Sequence, residues 1–373
     1  MQLDFIDLKR QQQRIRASVD ARIKNVLDSG RYIMGPEITE LEQRLAAYVG
    51  VKHCVSCANG TDALVMSLMA LQVGPGDVVL TVPFTFMASA EAIALVGATT
   101  VFVDIDERTF NIDANKLEAA IIKMKLQRPA LRLRGIIPVD LFGQMADYDE
   151  IQAIATSHDL FVLEDAAQAF GATYGGKKAC SVGDIATTSF FPAKPLGCYG
   201  DGGAIFCNNG TMAEKLKSIR VHGQGADKYE NVRIGLNGRL DTMQAAVLLA
   251  KMEIFDDELR AREEVAQRYG SLLEGAVVTP FIAANRTSAW AQYSVLTEQR
   301  DAMLKKLAAK RIPTAIYYPN PLHLQQAFAS LGYKAGDFPV SERVAKQIFS
   351  IPMHPYLTAA EQEFVTTAIR EAV

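Results

Sequence analysis

The stretch SFFPAKPLGCYGDGG, residues 189–203, places one lysine among apolar neighbours, just ahead of a run of glycines. Phe191 and Pro192 precede Lys194, and Pro195 and Leu196 follow it. A lysine held in such surroundings loses hydration, so its pKa falls and its amine becomes a nucleophile toward a carbonyl. Prolines that merely stiffen a surface turn explain the same residues, and this stretch alone leaves both readings open. A second candidate lies in FVLEDAAQAFG, where Glu164 and Asp165 must leave a strand on opposite faces because its side chains alternate. One of them can enter a site while the other faces away. A carboxylate at a buried strand end calls for a cation or for hydrogen-bond donors, and a protonated ring nitrogen is such a cation. Gln168 could add an amide donor to a ring oxygen, although a surface role is commoner for glutamine. A third candidate is the turn Ala58-Asn59-Gly60-Thr61-Asp62, where a strand passes into a helix. Backbone N–H groups near Gly60 and Thr61 then point outward at a helix N-terminus, a geometry that binds phosphate. Helix capping by Asn59 or Thr61 accounts for the same residues. Ser189, five residues before Lys194, supplies a hydroxyl donor. An anion cradle, a carboxylate for a ring nitrogen and an amine for a carbonyl together describe the needs of pyridoxal 5'-phosphate (PLP).

The elements that must position these residues alternate from about residue 50 to 222. The runs HCVSCA, DVVLTVP, TTVFVDI, GIIPVDLFG and LFVLEDA read as strands, and TDALVMSLMALQV, FMASAEAIALVG, NKLEAAIIKMKL and DYDEIQAIATSHD as helices between them. Near-continuous apolar strands predict a mostly parallel sheet covered on both faces, with ligands bound beyond the strands' carboxyl ends. A long helix is expected from Thr242 through MQAAVLLAKMEIFDDELRAREEVAQRYGSLL, bridging to a smaller C-terminal unit that holds AWAQYSVLT, RDAMLKKLAAK and TAIYYP. The fold expected is α/β: a large wound domain over residues 1–250 with an N-terminal helical segment, and a small α+β domain over 251–373. The basic stretch KMKLQRPALRLR, residues 123–134, reads as a solvated surface excursion.

Composition narrows the function. A net charge of -3 with no long Lys/Arg run argues against nucleic-acid binding. No run of apolar residues reaches the roughly twenty a membrane helix needs, and the opening MQLDFIDLKRQQQRIRASVD does not read as a signal peptide. Five cysteines at irregular spacing suit a reducing cytoplasm. Cys54 and Cys57 form a C-x-x-C without a second pair or a histidine cluster at zinc-like spacing, so small buried strand residues are expected, with a redox pair as the alternative and no metal. The dinucleotide fingerprint G-x-G-x-x-G is absent from the turn at Gly60, which disfavours a nicotinamide enzyme.

Along nearly the whole chain, FIDLKRQQQRI, GRYIMGPEITELE, ANGTDAL, VPFTFMASAEAI, EDAAQAFGA, SFFPAKPLGCYGDGGA, RVHGQ, LNGRLDTMQAA, YYPNPLHLQ and IPMHPYLT occur in that order. Together they resemble the DegT/DnrJ/EryC1/StrS family of PLP-dependent nucleotide-sugar aminotransferases, within the aspartate aminotransferase fold (PLP fold type I). The resemblance implies that Lys194 forms the Schiff base, Asp165 pairs with the pyridine nitrogen and Gln168 contacts the ring hydroxyl. It implies that Gly60, Thr61 and Ser189 hold the phosphate and that Phe86 covers the ring, a plain core phenylalanine being the alternative. Asn237 would reach the phosphate of a neighbouring subunit, giving a homodimer with shared sites. Ala193 stands where serine is frequent, and Tyr317 where many members have histidine before the Tyr318-Pro319 pair. Family members that use PLP without transamination replace the lysine by histidine, so Lys194 argues against that branch. A silent regulatory protein would be expected to lack one of the polar anchors. A cysteine desulfurase would have to use Cys198, whose tight turn suggests packing instead.

The same resemblance implies L-glutamate as amino donor and, as acceptor, a UDP-linked 2-acetamido-3-oxo-glucuronate of surface-polysaccharide synthesis. A neutral 3-keto or 4-keto 6-deoxy sugar is the alternative. A uronate carboxylate calls for a guanidinium. Arg239 is the candidate, entering from the neighbouring subunit, with a salt bridge to Asp241 as its structural alternative. Tyr317, Tyr318 and His323 are expected to line the sugar pocket.

Overall fold

The computed structural model describes residues 3–227 and 229–373; Met1 and Gln2 of the opening stretch and Lys228 of the polar segment before Asn237 lie outside the described residues. Two helices lead in. Helix α1 (Leu8–Ser29) starts on Asp7, whose side chain accepts from Arg10 N, and stops at Gly30 in the left-handed conformation; α2 (Pro36–Val49) starts with proline in its first turn.

The strands β1 (His53–Cys57), β2 (Asp77–Thr81), β3 (Thr99–Phe102), β4 (Arg132–Ile136) and β5 (Phe161–Asp165) alternate with α3 (Gly60–Ala70), α4 (Ala88–Leu95), α5 (Ala114–Gln127) and α6 (Tyr148–Ser157). A short hairpin, β6 (Thr173–Tyr174) and β7 (Lys177–Lys178), precedes β8 (Ile185–Ser189), β9 (Gly203–Cys207) and α7 (Gly210–Ile219). Seven strands form one sheet in the order β1-β9-β8-β5-β4-β2-β3, and only β9 runs against the rest. Apolar side chains on both faces of the strands feed two cores. Residues of α2, α5 and α6 build one, and residues of α3, α4 and α7 the other. Cys54 and Cys57, three apart in β1, fall into opposite cores and remain free thiols, which excludes a redox pair between them.

Two expectations are corrected. The basic segment at 123–134 is exposed along most of its length, as expected, but is no excursion from the regular elements: its first half ends α5, and Arg132–Ile136 is a strand between β5 and β2. Arg132 and Arg134 reach the fully buried Asp77 at 2.9 and 3.1 Å, so both pair with a buried carboxylate, Arg132 from a side chain that is itself largely in solvent. The long helix after Asp241 is two helices, α8 (Thr242–Met252) and α9 (Phe255–Leu273), broken at Glu253-Ile254. Asp256, Asp257 and Glu258 occupy the first turn of α9, where negative charge meets the positive end of the helix dipole. The rest of the chain contributes β10 (Tyr293–Leu296), α10 (Arg300–Ala309), α11 (Pro339–Gln347), β11 (Ile348–Ile351) and α12 (Ala359–Arg370). Strands β10 and β11 pair antiparallel over a third core that includes Tyr269, Trp290, Tyr293, Phe349 and Val365. The TAIYYP run adds only an isolated bridge, Ala315 to Ser350.

Candidate active site

The carboxyl ends of β1, β5 and β8 bring the predicted residues together. Asn59, after β1, caps α3 by accepting from Asp62 N at 2.7 Å, which realises the capping reading. Capping leaves the N–H groups of Gly60 and Thr61 without an intrahelical acceptor, so the anion-binding reading holds as well. A Cβ on Gly60 would lie 2.8 Å from Ser189 Cβ, and one on Gly203 would lie 2.5 Å from the Asn59 carbonyl oxygen. Glycine at both positions is what lets the turn, β8 and β9 close into one cradle.

Lys194 sits in a compact loop. Its own N–H donates to Phe191 O at 2.9 Å, Cys198 N donates to Phe190 O at 2.8 Å, and a Cβ on Gly197 would strike the Phe191 and Pro192 carbonyl oxygens at 2.6 Å. Desolvation lowers the Lys194 amine to about 8, with the charge of Asp165 opposing the shift. Asp165, buried at the end of β5, accepts from Ser89 Oγ at 2.7 Å and from Ala167 N at 3.2 Å. Burial raises its pKa, while those two hydrogen bonds and the Lys194 charge pull it back. Glu164 leaves on the other face, as alternation requires, and accepts from Cys180 N and Val182 N. There it meets Asp140, and burial raises both carboxyls, Glu164 to about 7; the Glu164 charge lifts Asp140 further, while hydrogen bonds from Cys180 N, Val182 N and Asp140 pull Glu164 back.

Gln168 is buried and doubly held: its Oε1 accepts from Phe142 N at 2.7 Å and one Nε2 hydrogen is donated to the Tyr318 hydroxyl at 3.1 Å, which leaves a second N–H. Tyr318 joins the cluster through the first of these N–H groups. Phe86 is 56% exposed with its ring 6.3 Å from that of Tyr318, which rules out a plain core phenylalanine. Tyr317 is half-buried, its ring 6.3 Å from Phe5 of the N-terminal segment. Arg239 donates to Asn237 Oδ1 at 2.6 Å instead of pairing with Asp241, and its buried Nε has no partner among the described residues. His323 departs from expectation. It is 2% exposed, packed edge-on against Phe338 at 4.7 Å, with Nε2 3.0 Å from Glu342. Its side chain thus serves the packing beneath α11 rather than lining an open sugar pocket. Ser89 and Asp140 were unforeseen: Ser89 finds Asp165 76 positions away, and Asp140, held locally by Ala146 N and the Tyr148 hydroxyl, meets Glu164 from another strand.

The DegT/DnrJ/EryC1/StrS aminotransferase family model matches residues 13–370. The chain belongs to this family. It is 50% identical over 98% of its length, and 99% of the relative's, to the UDP-2-acetamido-2-deoxy-3-oxo-D-glucuronate aminotransferase of Pseudomonas aeruginosa. It is 45% identical over its whole length, and 98% of the relative's, to a pleiotropic regulatory protein of Geobacillus stearothermophilus. The crystal structure of NtdA from Bacillus subtilis with bound cofactor PMP superposes with a TM-score of 0.91 at 29% identity, over 100% of this chain and 85% of that one. Membership in the aminotransferase family accords with the sheet order and with the lysine, carboxylate and cradle at its strand ends. Among the described residues no helix is long and apolar enough to cross a membrane, and no group of three or more His, Cys, Asp or Glu could hold a metal ion.

Proposed function

We propose that the protein is a PLP-dependent aminotransferase that moves the amino group of L-glutamate to C3 of UDP-2-acetamido-2-deoxy-3-oxo-glucuronate, acting in the cytoplasm as a homodimer. The observation that carries the substrate is the full-length 50% identity to the Pseudomonas aeruginosa aminotransferase of that name. The residues fit the cofactor. The cradle that a Cβ on Gly60 would fill suits a phosphate, the exposed Phe86 offers a ring face, and the buried Asp165, aided by the nearby Lys194 charge, makes no ion pair within 4 Å among the described residues and can accept a further donor.

When bound, PLP supplies an electron sink for the bond-breaking at the carbon that bears nitrogen. The chain's own residues do the rest. Gly60, Thr61 and Ser189 would hold the phosphate. Asp165 would keep a proton on the ring nitrogen. The Lys194 Nζ would bind the cofactor's aldehyde carbon and, when free, would take and return a proton during transfer. An amine at about 8 is partly neutral near neutral pH, as both roles need.

Support for the dimer comes from exposed apolar residues beside the site. Tyr32, Ile33 and Met34 are 50%, 51% and 41% exposed, and Phe191 and Ile234 are 52% and 83% exposed. Ile33 bridges to Asp241 and Tyr32 O accepts from Thr242 N, so this patch lies alongside Arg239. Clustered exposed apolar side chains next to polar ones mark an interface. Across it, Asn237 and Arg239 would serve the partner's phosphate and sugar carboxylate.

The test is amination of the 3-oxo uronate and of a neutral 4-keto 6-deoxy sugar by wild type and Arg239→Ala. The expected result is preference for the uronate, strongly impaired by the substitution, with use of the neutral sugar hardly changed. Preference of the wild type for the neutral sugar would remove the uronate assignment. Failure to transaminate either sugar, despite cofactor binding, would favour a regulatory role instead.

A further inference from the structure

Serines within helices ordinarily turn their hydroxyls back onto the preceding turn. Ser67 in α3 does so, donating to Ala63 O at 2.7 Å. Ser89 in α4 does not. Its hydroxyl reaches a residue 76 positions away, Asp165 Oδ2, at 2.7 Å. A hydroxyl has one hydrogen, and an ionised carboxylate can only accept. Ser89 therefore spends its proton on Asp165, and in the 3.3 Å pair between Thr85 Oγ1 and Ser89 Oγ the donor must be Thr85. The chain Thr85 to Ser89 to Asp165 is sealed from water, its members 2%, 1% and 4% exposed. Ala167 N holds the other oxygen, Oδ1. Each carboxylate oxygen keeps a lone pair free for a further donor.

We propose that Ser89, backed by Thr85, is a positioning residue of the cofactor site: it pins the Asp165 carboxylate so that a free lone pair is presented to a protonated ring nitrogen. This rests on the proposed PLP-dependent function. A buried carboxylate with a single backbone donor would take up a proton more readily and then donate where it should accept. The charged or titratable groups around Asp165 are Lys194, which favours its ionised form, and Tyr318, Tyr148 and Cys180, which sense its charge. Glu164 is turned to the opposite face, onto Cys180 N and Val182 N. None of these touches the Ser89 oxygen, so its removal acts on Asp165 directly.

The experiment titrates apoprotein with PLP, following the cofactor's visible band, for wild type, Ser89→Ala, Asp165→Asn and the double variant, between about pH 5 and about pH 8. A hydrogen bond to a charged group is the quantity at stake, so Ser89→Ala is expected to weaken PLP roughly tenfold or more. The loss should grow as pH falls, because the unpinned carboxyl protonates sooner. In the Asp165→Asn background the same substitution should change affinity less than about twofold, since the charge it served is gone. A Ser89→Ala affinity equal to wild type, or an equal loss in both backgrounds, would overturn the inference; the latter would mark a packing role. A wild type that binds no PLP would remove the proposed function and this inference together, whereas normal wild-type binding with additive losses removes this inference alone.

Discussion

Lys194 owes its chemistry to desolvation, and that sets a pH dependence. Its amine is lowered from 10.5 to about 8, so about a tenth of it is neutral at pH 7, against well under a thousandth for an ordinary lysine. Because only the neutral amine attacks an aldehyde, the rate at which PLP attaches should rise about tenfold per pH unit below about 8 and level off above it. Stopped-flow absorbance of apoprotein mixed with PLP measures this; a profile still climbing steeply at about pH 10 would mean that the loop does not perturb the lysine. Lys194→Ala should retain PLP without the covalent link and lose turnover. Wild-type turnover in that variant would take Lys194 out of its role.

At the scale of elements, the site depends on how closely α3 approaches the end of β8. Gly60→Ala would place a methyl 2.8 Å from Ser189 Cβ, a contact that neither backbone can accommodate without moving. The expected cost is about 1–3 kcal/mol of stability, seen in urea unfolding, with a larger fractional loss of PLP affinity because the phosphate cradle itself is displaced. The opposite face of β5 carries a second dependence. Asp140 and Glu164 meet there in full burial; both are raised, Glu164 from 4.5 to about 7, and Asp140 Oδ2 has no other partner among the described residues. The folded state therefore keeps a proton that the unfolded chain has released, and stability should fall as pH rises from about 4.5 toward about 7. Asp140→Asn keeps the Oδ1 acceptor used by Ala146 N and Tyr148 and offers Glu164 a permanent donor. Unfolding followed at about pH 5 and about pH 7.5 should show that this variant flattens the dependence; an unchanged slope would assign it to other groups.

Across the whole molecule, the N-terminal segment ties the two ends of the chain together. Arg10, in the first turn of α1, reaches both oxygens of Glu361 at 2.8 and 3.3 Å and the Tyr356 carbonyl at 2.7 Å, while Leu3 enters the core beneath β10 and β11. The Arg10 guanidinium holds Glu361 down at about 2, so this contribution is complete above about 4.5 and is lost as pH falls toward about 2. Arg10 is 41% exposed, which screens the pair, and Arg10→Ala should cost only about 1 kcal/mol near neutral pH. The same segment brings Phe5 to Tyr317, so loosening it should raise KM for the sugar more than it lowers kcat. Equal effects on both would separate the segment from the site. The proposed dimer is checked by sedimentation of Ile234→Asp, which puts a charge on an 83% exposed apolar residue and should dissociate the protein and weaken cofactor retention.

Residue type and spacing drew attention to Lys194, Asp165, Gly60 and Ser189 and to the wound sheet that gathers them, and the order of motifs along the chain chose among the readings each left open. A proline-flanked lysine, a carboxylate ending an apolar strand and a glycine at a strand-to-helix turn are each visible within a few neighbours, and strand and helix periods are local too. The break between α8 and α9 was legible in the acids of residues 256–258 had they been read as a helix start. The start of β4 went unread, although GIIPVDLFG marked its end, because Arg132 and Arg134 look like loop charges until Asp77, more than fifty residues earlier, is placed beside them. Only the tertiary structure decided that Ser89 serves Asp165, that Gln168 leans on Tyr318 150 positions away, that Glu164 shares its burial with Asp140, and that His323 is packed against Phe338. The physical reason is the same in each case. A buried polar group must find its partner from whatever the fold brings within about 3 Å, and that partner belongs to another strand or helix whose place no local pattern records.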